Sequence, residues 1–445
     1  MSDEEQPAKK SKMTTKSSAI APQQEEATAS PAIKTCAHFV KRKKRFCKMS
    51  VAKGKEYCGE HEPAVTADAN EESAVFSDRI PCPLDGKHTI YKKNLRKHLK
   101  ICNARHTNDQ PQYIQKNINA GSDNEERIQE DLKNIKLNEL EDEEFFGVID
   151  KVKKLYQKYV ENKIAKLECH HKCMDEELAK EEYGKESLKH LVQAAALLGI
   201  LEKEQKIENS TSFVEYGAGK GQLAFYLAKL LESKQNSQVV LVDRMSLRHK
   251  KDNKIEDRSL VQRIRADIAD FCIDKLNTLK NYQHCVAVSK HLCGGATDLT
   301  LRCITQAKEK FTDFIMIALC CHHRCDWRSF VGKEFFKEHQ ISQREFVIIT
   351  KMVSWAICGT GMSRERRKAL ENQELTPQEI AEINANQRVS LAERETIGFM
   401  CKRLLDYARL GYLRQHDYEA DLHYYVTREV TLENVVLLAR RKVKS

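Results

Sequence analysis

A strand, a glycine-rich turn and a helix follow one another between Ser212 and Leu231, and this segment constrains the fold more than any other. It reads SFVEYGAGKGQLAFYLAKLL, in which a short apolar run precedes three glycines and an apolar helical run follows them. Because glycine has no Cβ atom, such a turn lets the backbone approach a ligand closely. This order of elements is typical of a nucleotide-cofactor site in an α/β domain.

Short β-branched runs alternate with helical patterns from residue 211 to residue 445. This alternation predicts an α/β domain with a mainly parallel sheet and helices on both faces. The last two runs lie close together in the chain, which predicts an antiparallel hairpin at one edge. Residues 326–392 interrupt the alternation, and we interpret them as a helical insertion before a helix over Glu393–Leu413. The strand runs are SFVEY, QVVLVD, VQRIRAD, HCVAVSK, DFIMIAL, LHYYVT and ENVVLLAR.

Composition divides the first half of the chain. Residues 1–33 are polar and lack hydrophobic periodicity, so they are predicted to be disordered. Residues 106–144 are polar and acidic and are interpreted as a linker. Residues 145–210 are predicted to be helical because their apolar residues recur at helical spacing. The residues that carry this pattern are Val148, Val152, Leu155, Tyr159 and the alanine-rich run Leu188–Leu201.

The glycine turn and three acids predict the cofactor. A phosphate-binding loop is disfavoured because Gly221, and neither serine nor threonine, follows Lys220. Asp243, at the end of the second strand, can accept hydrogen bonds from the ribose diol of either NAD or S-adenosylmethionine. Acids at the ends of the first and third strands favour S-adenosylmethionine, and a purely structural turn is the alternative. The predicted cofactor-binding residues are Glu215, Gly217, Gly219, Gly221, Asp243 and Asp267.

A first predicted zinc module occupies residues 34–62. Its ligands Cys36, Cys47, Cys58 and His61 have the spacing C-x10-C-x10-C-x2-H. Three thiolates and one imidazole make a closed tetrahedral zinc site. A segment with so few apolar side chains needs a metal in order to fold, although unconnected cysteines in a basic tail are the alternative. The module resembles a CCCH finger.

A second predicted zinc module occupies residues 79–105. Its ligands Cys82, His88, His98 and Cys102 have the spacing C-x5-H-x9-H-x3-C. Because His98 and Cys102 are four residues apart, they share one face of a helix. This module resembles the CHHC finger also found in a minor-spliceosome protein.

A third group of possible ligands, Cys169, His170, His171 and Cys173, is placed in a charged helix. Four such closely spaced residues on one helix cannot all face one metal ion. We therefore expect an ordinary helix surface there.

The positive charge of the chain is concentrated in the two zinc modules. They carry net charges of +6 and +7, whereas the whole chain carries +10. Such a distribution favours a polyanionic partner such as nucleic acid. A nuclear-import signal at Lys41–Arg45 or a solvated basic tail is the alternative.

Length and cysteine usage bound the class of protein. A chain of 445 residues is expected to contain two to four domains. We find no apolar run long enough for a membrane span and no apolar signal core at the N-terminus. We therefore expect a soluble intracellular protein of the nucleus or cytoplasm, in which the 16 cysteines are thiols or metal ligands.

Two polar strings follow the fourth and fifth predicted strands. They are Ser289–Gly295 (SKHLCGG) and Cys320–Trp327 (CCHHRCDW). Ligands of open α/β sheets bind at the carboxyl ends of strands, so titratable residues there are functional candidates. A solvated loop is the alternative for Lys290 and His291. A catalytic metal at Cys320–Cys325 is disfavoured, because neighbouring residues of a strand point to opposite sides.

These strings make the chain similar to a known family. Four motifs together resemble eukaryotic tRNA 2′-O-methyltransferases that act on nucleotide 4 of the acceptor stem. The order of a CCCH finger, a CHHC finger and a methyltransferase domain also matches, and the resemblance covers roughly residues 34–105 and 150–442. The motifs are Lys290–Gly294 (KHLCG), Cys320–Trp327, Ser354–Ala356 (SWA) and Gly398–Leu413 (GFMCKRLLDYARLGYL).

The resemblance implies a class I, Rossmann-like methyltransferase domain that transfers a methyl group from S-adenosylmethionine to a ribose 2′-hydroxyl of tRNA. A ribose hydroxyl needs a base, or a cation that stabilises the alkoxide. Lys290 is the candidate for deprotonation or charge stabilisation, and His291 for positioning or base catalysis. His322 and His323 are second candidates, for holding the ribose.

Three other interpretations remain open from the sequence. Methylation of a base or a protein is one, although the fourth strand lacks the Asn/Asp-Pro-Pro-aromatic string of many amino-group methyltransferases. Covalent catalysis by Cys293 is another, which ribose chemistry does not require. The third is an RNA-binding zinc-finger protein with an inert methyltransferase-like domain, against which the intact Glu215, Gly217–Gly221 and Asp243 argue.

Overall fold

The chain divides into two units, Met1–Asp109 and Gln110–Ser445. The structure is a computed structural model, and the predicted disordered residues 1–33 lie outside the residues it describes. The described residues are 35–40, 45–47, 49, 51, 54–58, 79–102, 111–121, 132, 134–245, 247, 250–309, 311–356 and 388–442.

The first unit contains two short hairpins and one helix. In each hairpin the strands pair antiparallel. The helix carries His98, and Cys102 follows immediately at its C-cap, as the four-residue spacing predicts. The elements are β1 (Phe39–Val40), β2 (Arg45–Phe46), β3 (Arg79–Cys82), β4 (Asp85–Tyr91) and α1 (Leu95–Ile101).

The second unit is built on an eight-stranded mixed sheet. Its strands are β5 (Ala165–Lys166), β6 (Thr211–Tyr216), β7 (Gln238–Asp243), β8 (Val261–Arg265), β9 (His284–Cys293), β10 (Phe314–Cys320), β11 (Tyr418–Tyr424) and β12 (Val435–Arg441). They are ordered β5-β11-β12-β10-β9-β6-β7-β8. The five strands β6 to β10 are parallel, and β12 is antiparallel to both its neighbours. The predicted α/β class and the antiparallel pairing of the last two strands are therefore confirmed, but the two-residue strand β5, and not this hairpin, forms the edge of the sheet.

The strand order reverses between β6 and β9, which lie side by side. From β6 the chain proceeds outward through β7 and β8, and then returns to β9 and β10 on the other side. In open α/β sheets the ligand crevice forms at this switch point, outside the carboxyl ends of the strands. The fold thus places the glycine turn after β6 beside the polar string at the end of β9.

Helices cover both faces of the sheet. The predicted helices over Val148–Tyr159 and Leu188–Leu201 are confirmed as α2 and α4, and α9 begins after a capping box formed by Ser390 and Glu393. None of the described helices is both long enough and apolar enough to cross a membrane. The helices of this unit are α2 (Asp142–Tyr159), α3 (Asp175–Leu178), α4 (Lys185–Lys203), α5 (Gln222–Leu231), α6 (Gly295–Thr305), α7 (Lys333–Glu338), α8 (Gln343–Met352) and α9 (Leu391–Gln415).

Three apolar clusters hold this unit together. One buries α4 and α5 against one face of the sheet, and a second buries α6 and part of α9 against the other. The third joins α2, α8 and α9 around Phe330, Phe336 and Phe346. The described part of the predicted insertion contains helices α7 and α8, and residues 357–387 lie outside the described range. The insertion therefore adds its own core beside the sheet.

Two predictions about the segments before the sheet are wrong. Residues 111–121, interpreted as part of a polar linker, pack against the sheet domain: Asn119 is buried, and its amide donates to the carbonyls of Ile268 and Phe271 at 2.6 and 2.7 Å. Cys169–Cys173 do not form a charged helix but run through a loop into a 3-10 turn. The loop lies against α4, where a Cβ on Gly199 would be 2.6 Å from the backbone nitrogen of His170.

Candidate active site

The glycine turn after β6 is tight enough to exclude side chains. Gly217, Gly219 and Gly221 all have positive φ angles, of 65°, 53° and 70°. A Cβ on Gly221 would be 2.5 Å from Oδ1 of Asp252, and one on Gly217 would be 2.9 Å from Cδ2 of Leu292. The turn thus needs glycine for its conformation and for its close approach to the end of β9.

Asp243, the last residue of β7, is bound to the glycine turn. Its Oδ2 accepts a hydrogen bond from the Gly219 backbone N–H at 2.7 Å, and its Oδ1 accepts one from the Met245 N–H at 2.7 Å. The side chain is partly exposed at the strand end. A carboxylate offers about four lone-pair positions, so two remain for the hydroxyls of a ribose diol.

Glu215 is buried beside the start of α5. Its Oε2 accepts a hydrogen bond from the Ala224 backbone N–H at 3.1 Å. Burial raises the pKa of the Glu215 carboxyl to about 8, although that N–H and the positive charges of Arg263 and Lys290 act in the opposite direction. The carboxyl can therefore carry a proton near neutral pH and present either a donor or an acceptor to a ligand.

Asp267 follows β8, in line with the other two acids. It caps a short 3-10 helix by accepting the Ala269 N–H at 3.0 Å, and its Oδ2 lies 3.9 Å from Nη1 of Arg244. Because β6, β7 and β8 are adjacent and parallel, Glu215, Asp243 and Asp267 belong to the carboxyl ends of three neighbouring strands. The structure thus brings the predicted cofactor residues to one edge of the sheet.

Lys290 points from β9 toward the cofactor side of this edge. It is 7% exposed, and its Nζ donates to the His190 carbonyl at 2.9 Å and lies 3.5 Å from Oε1 of Gln222. Burial lowers the pKa of Lys290 to about 8, and the nearby Glu215 opposes this shift. A lysine in such a position can supply either an ammonium or a neutral amine near physiological pH. No local sequence pattern marks its partners His190 and Gln222.

Two of the three candidate histidines, His291 and His323, are accessible. His291 is exposed, and its ring contacts that of His190 edge-on with 5.6 Å between the centroids. Partial burial and the Lys290 charge lower the pKa of His291, so the imidazole is neutral at physiological pH. His323 is also exposed. Both side chains can reach a ligand at this edge.

His322, predicted to hold the ribose, does not lie at that surface. Its side chain is fully buried, and its Nε2 lies 2.5 Å from Oδ1 of Asp406 on α9. Asp406 also accepts hydrogen bonds from Arg403 at 2.8 Å and Arg409 at 3.3 Å. Burial lowers the pKa of His322, which fits a neutral imidazole donating to an ionised Asp406. We therefore assign His322 to the core and drop it as a ligand contact.

A cavity of about 620 Å³ opens at the same edge, over β11 and the start of β12. Strand β12 is antiparallel to both β10 and β11, so β11 runs in the same direction as β10. The residues after β11 and before β12 therefore lie at the carboxyl edge of the parallel strands. Its wall combines aromatic and basic groups, which suits a nucleotide. Lining residues include Tyr156, Phe399, Arg403, Tyr424, Arg428 and Asn434. Phe399 and Arg403 belong to the Gly398–Leu413 motif, whereas no motif marked the other lining residues named here.

The ligand atoms of both predicted zinc modules converge. In the first, Cys36, Cys47 and Cys58 are buried together, with 3.9 Å between the Sγ atoms of Cys47 and Cys58. Two thiolates on a tetrahedral zinc are about 3.8 Å apart, given Zn–S bonds of about 2.3 Å. The fourth predicted ligand, His61, lies outside the described residues.

In the second module the Sγ of Cys82 lies 3.6 Å from that of Cys102 and 3.1 Å from Nε2 of His98. The Leu84 backbone N–H also donates to the Cys82 sulfur at 3.4 Å, which stabilises a thiolate. His88 lies on β4, but its side chain is outside the described part of the structure. Both donor sets fit zinc.

Three family comparisons cover most of the chain. Residues 192–440 match the family described as "Methyltransferase TRM13". Residues 34–62 match "CCCH zinc finger in TRM13 protein", and residues 79–103 match "U11-48K-like CHHC zinc finger". The predicted zinc is thus confirmed by two zinc-finger families, and the predicted S-adenosylmethionine agrees with a methyltransferase family.

Curated relatives align over nearly their whole length. The mouse protein named "tRNA:m(4)X modification enzyme TRM13 homolog" is 35% identical, over 91% of this chain and 94% of its own. The human protein of the same name is 35% identical, over 92% of this chain and 95% of its own. The Saccharomyces cerevisiae protein "tRNA:m(4)X modification enzyme TRM13" is 29% identical, over 92% and 96%. The family match, these relatives and the sheet that carries the glycine turn agree, and the chain belongs to the TRM13 methyltransferase family.

Proposed function

We propose that this protein transfers a methyl group from S-adenosylmethionine to the ribose 2′-hydroxyl of nucleotide 4 in the acceptor stem of tRNA. The observation that carries the proposal is the placement of Lys290, which is buried beside the cofactor acid Glu215 at the carboxyl edge of the sheet. We interpret "m(4)X" in the relatives' names as a methyl group on nucleotide 4, with the base left unspecified. The ribose hydroxyl is an acceptor that nucleotides share whatever their base.

The row of acids would hold the cofactor. Asp243 has two acceptor positions left for the ribose diol. Asp267 would meet the adenine, and Glu215, which accepts the Ala224 N–H, would meet the methionine moiety. When bound, S-adenosylmethionine supplies an electrophilic methyl group on a sulfonium. The hydrogen bond from the Gly219 N–H to Asp243 already holds the glycine turn in place, so cofactor binding would require no rearrangement of the turn.

Lys290 would act on the acceptor hydroxyl. A neutral amine with a pKa near 8 can accept the 2′-OH proton, whereas the ammonium can stabilise the developing alkoxide. The Lys290 ammonium donates to the His190 carbonyl and to Oε1 of Gln222, which leaves one of its three N–H positions for substrate. His291 and His323, both accessible, would orient the ribose from the surface side.

Two surfaces suit the tRNA itself. The second finger exposes a dense basic group on and beside α1, which can neutralise phosphates: Lys92, Lys93, Arg96, Lys97 and Lys100. In the methyltransferase unit, the cavity over β11 offers Arg428, which lies 4.3 Å from the centroid of the Phe399 ring. Transfer RNA occurs in both nucleus and cytoplasm, and the proposal is compatible with either compartment.

Labelling can decide which atom is methylated. Unmodified tRNA is incubated with the full chain and methyl-labelled S-adenosylmethionine, and the product is digested with alkali. A 2′-O-methyl group blocks alkaline cleavage of the adjacent phosphodiester, so we expect the label in one resistant dinucleotide that begins at nucleotide 4. Label in mononucleotides would identify a base methyltransferase and overturn the proposal. Absence of any transfer above that of an Asp243→Ala control would support an inert domain instead.

A further inference from the structure

Three cysteines meet at the carboxyl ends of β9 and β10, outside both zinc fingers. Cys293 is the last residue of β9, Cys320 is the last residue of β10, and the two are register partners. Cys321 follows directly. Their three Sγ atoms all lie within 4.8 Å of one another. We propose that Cys293, Cys320 and Cys321 bind a third zinc ion at this edge of the methyltransferase domain.

The backbone is bent so that two neighbouring thiols can face one point. Successive residues of an extended strand point to opposite sides, which argued against a metal at this string. Cys321, however, has a φ of 50°, in the left-handed region that residues other than glycine adopt uncommonly. This turn ends the strand and brings the Cys321 sulfur back toward those of Cys320 and Cys293. The structure thereby removes the geometric objection.

The zinc fingers provide an internal standard. Among the described residues, three groups of potential ligands have all their ligand atoms within 4.8 Å of one another. Two are the Cys36–Cys47–Cys58 and Cys82–His98–Cys102 sets, which match zinc-finger families. The third is the strand-end cluster, which has the three-thiolate composition of the first finger. Thiolates in such number favour zinc over hard cations.

The cluster has an accessible side, which allows an ion to enter and leaves room for a fourth ligand. Cys293 is exposed and Cys321 half-buried, whereas Cys320 is buried. Because Cys293 is exposed, a water molecule can complete a tetrahedron around the ion. A Cβ on Gly294 would be 2.4 Å from Cβ of Arg324, so the loops after β9 and β10 already touch. A zinc ion would fasten these two loops together.

Zinc content of the full-length protein tests the proposal. The chain is purified anaerobically with a reductant, dialysed against a weak chelator, and analysed by mass spectrometry for metal per chain. We expect three zinc ions in the wild type, and two in Cys293→Ser and in Cys321→Ser. Cys173→Ser, which removes an exposed thiol outside the cluster, should retain three. Two ions in the wild type would overturn the proposal, as would three in both cluster variants.

Cobalt substitution gives a second readout that does not depend on counting ions in a variant. After stepwise titration of the metal-free wild type with Co²⁺, thiolate-to-metal charge-transfer absorption should rise through three equivalents and then stop. Saturation at two equivalents would overturn the proposal even if the serine variants failed to fold. Since Cys293 and Cys321 are at least partly exposed, their replacement should change the far-UV circular dichroism little.

Discussion

The Gly219 backbone N–H donates to Oδ2 of Asp243 at 2.7 Å, so the acid at the end of β7 fixes the glycine turn that follows β6. Arg263 binds the same turn from the other side, since its Nη1 donates to the Gly219 carbonyl at 3.1 Å. Asp243 therefore both offers acceptors to a ribose diol and shapes the loop beside it. Substitutions at this position should affect the cofactor in two separable ways.

We expect Asp243→Ala to weaken binding of S-adenosylmethionine roughly 10- to 150-fold, because a hydrogen bond to a charged group is worth about 1.5–3 kcal/mol. Asp243→Asn, which retains one oxygen for the Gly219 N–H, should lose less. Isothermal titration calorimetry measures both, and tRNA affinity should be unchanged in each. Equal cofactor affinity in the wild type and Asp243→Ala would remove Asp243 from the site.

Because Glu215 is buried, the stability of the folded protein should depend on pH. Its pKa rises from an ordinary 4.5 to about 8 on folding, chiefly through burial. The folded state therefore keeps a proton that the unfolded chain releases, and this contribution to stability is present below about pH 4.5 and lost as pH rises through about 8.

Glu215→Gln cannot lose that proton, so its Tm relative to the wild type should increase steadily from pH 5 to pH 8. Each kcal/mol corresponds to about 2–4 °C for a domain of this size. Thermal unfolding at several pH values measures the difference, and a difference that is the same at all pH values would contradict the prediction. Cofactor affinity should fall in the same variant, since Glu215 is a proposed ligand contact.

Replacement of the buried Asp406 should have a large effect on stability. Although burial acts to raise it, the pKa of Asp406 is held at about 2 by His322 and two arginines. Asp406→Ala would leave Arg403 without its carboxylate in the interior, at a cost of about 3–5 kcal/mol. Urea unfolding measures the loss. Asp421→Ala is the matched control, because its 3.8 Å pair with Arg414 is exposed and should contribute less than about 1 kcal/mol.

Lys290→Ala should lower kcat for methyl transfer at least about 100-fold, the usual minimum for a general acid–base group, with little change in tRNA affinity. If the neutral amine is the base, wild-type activity should rise with pH and level off above about 8, where the pKa of Lys290 lies. Lys290→Arg keeps a permanent charge and should then remain inactive, whereas an active Lys290→Arg would identify charge stabilisation. Near wild-type activity in Lys290→Ala would exclude the residue and turn attention to His323.

The cofactor edge could be predicted from sequence because each of its parts has a local signal. Glu215, Asp243 and Asp267 each end or follow an apolar run, and parallel strands with right-handed crossovers bring such ends to one edge. The zinc ligands were similarly marked by spacing. These acids and zinc ligands can therefore be predicted from local sequence patterns, without knowing which distant residues they contact.

What the sequence could not predict depends on contacts between distant residues. In the string Cys320–Trp327, His322 turns inward because Asp406, 84 residues later, lies beneath it. The polar composition around Asn119 predicts a linker, because nothing local shows that the carbonyls of Ile268 and Phe271 accept its amide. The two-residue strand β5 is exposed and carries no apolar pattern. Hydrophobic periodicity describes neither buried ion networks nor polar contacts of this kind.

The basic face of the second finger predicts the salt dependence of tRNA binding. Replacing Lys92, Lys93 and Lys97 with glutamine removes three exposed charges and none of the zinc ligands. Because each phosphate contact contributes about 0.7–0.9 to the slope of log K against log salt, loss of three contacts should reduce that slope by roughly 2–3. Lys153→Gln with Lys154→Gln, which removes two exposed charges on α2, provides the comparison and should change the slope less.

Deleting residues 1–105 should weaken tRNA binding further and flatten the salt dependence more, while S-adenosylmethionine affinity stays the same. Binding of tRNA by the truncated protein as tight as that of the whole chain would mean that the fingers serve another partner.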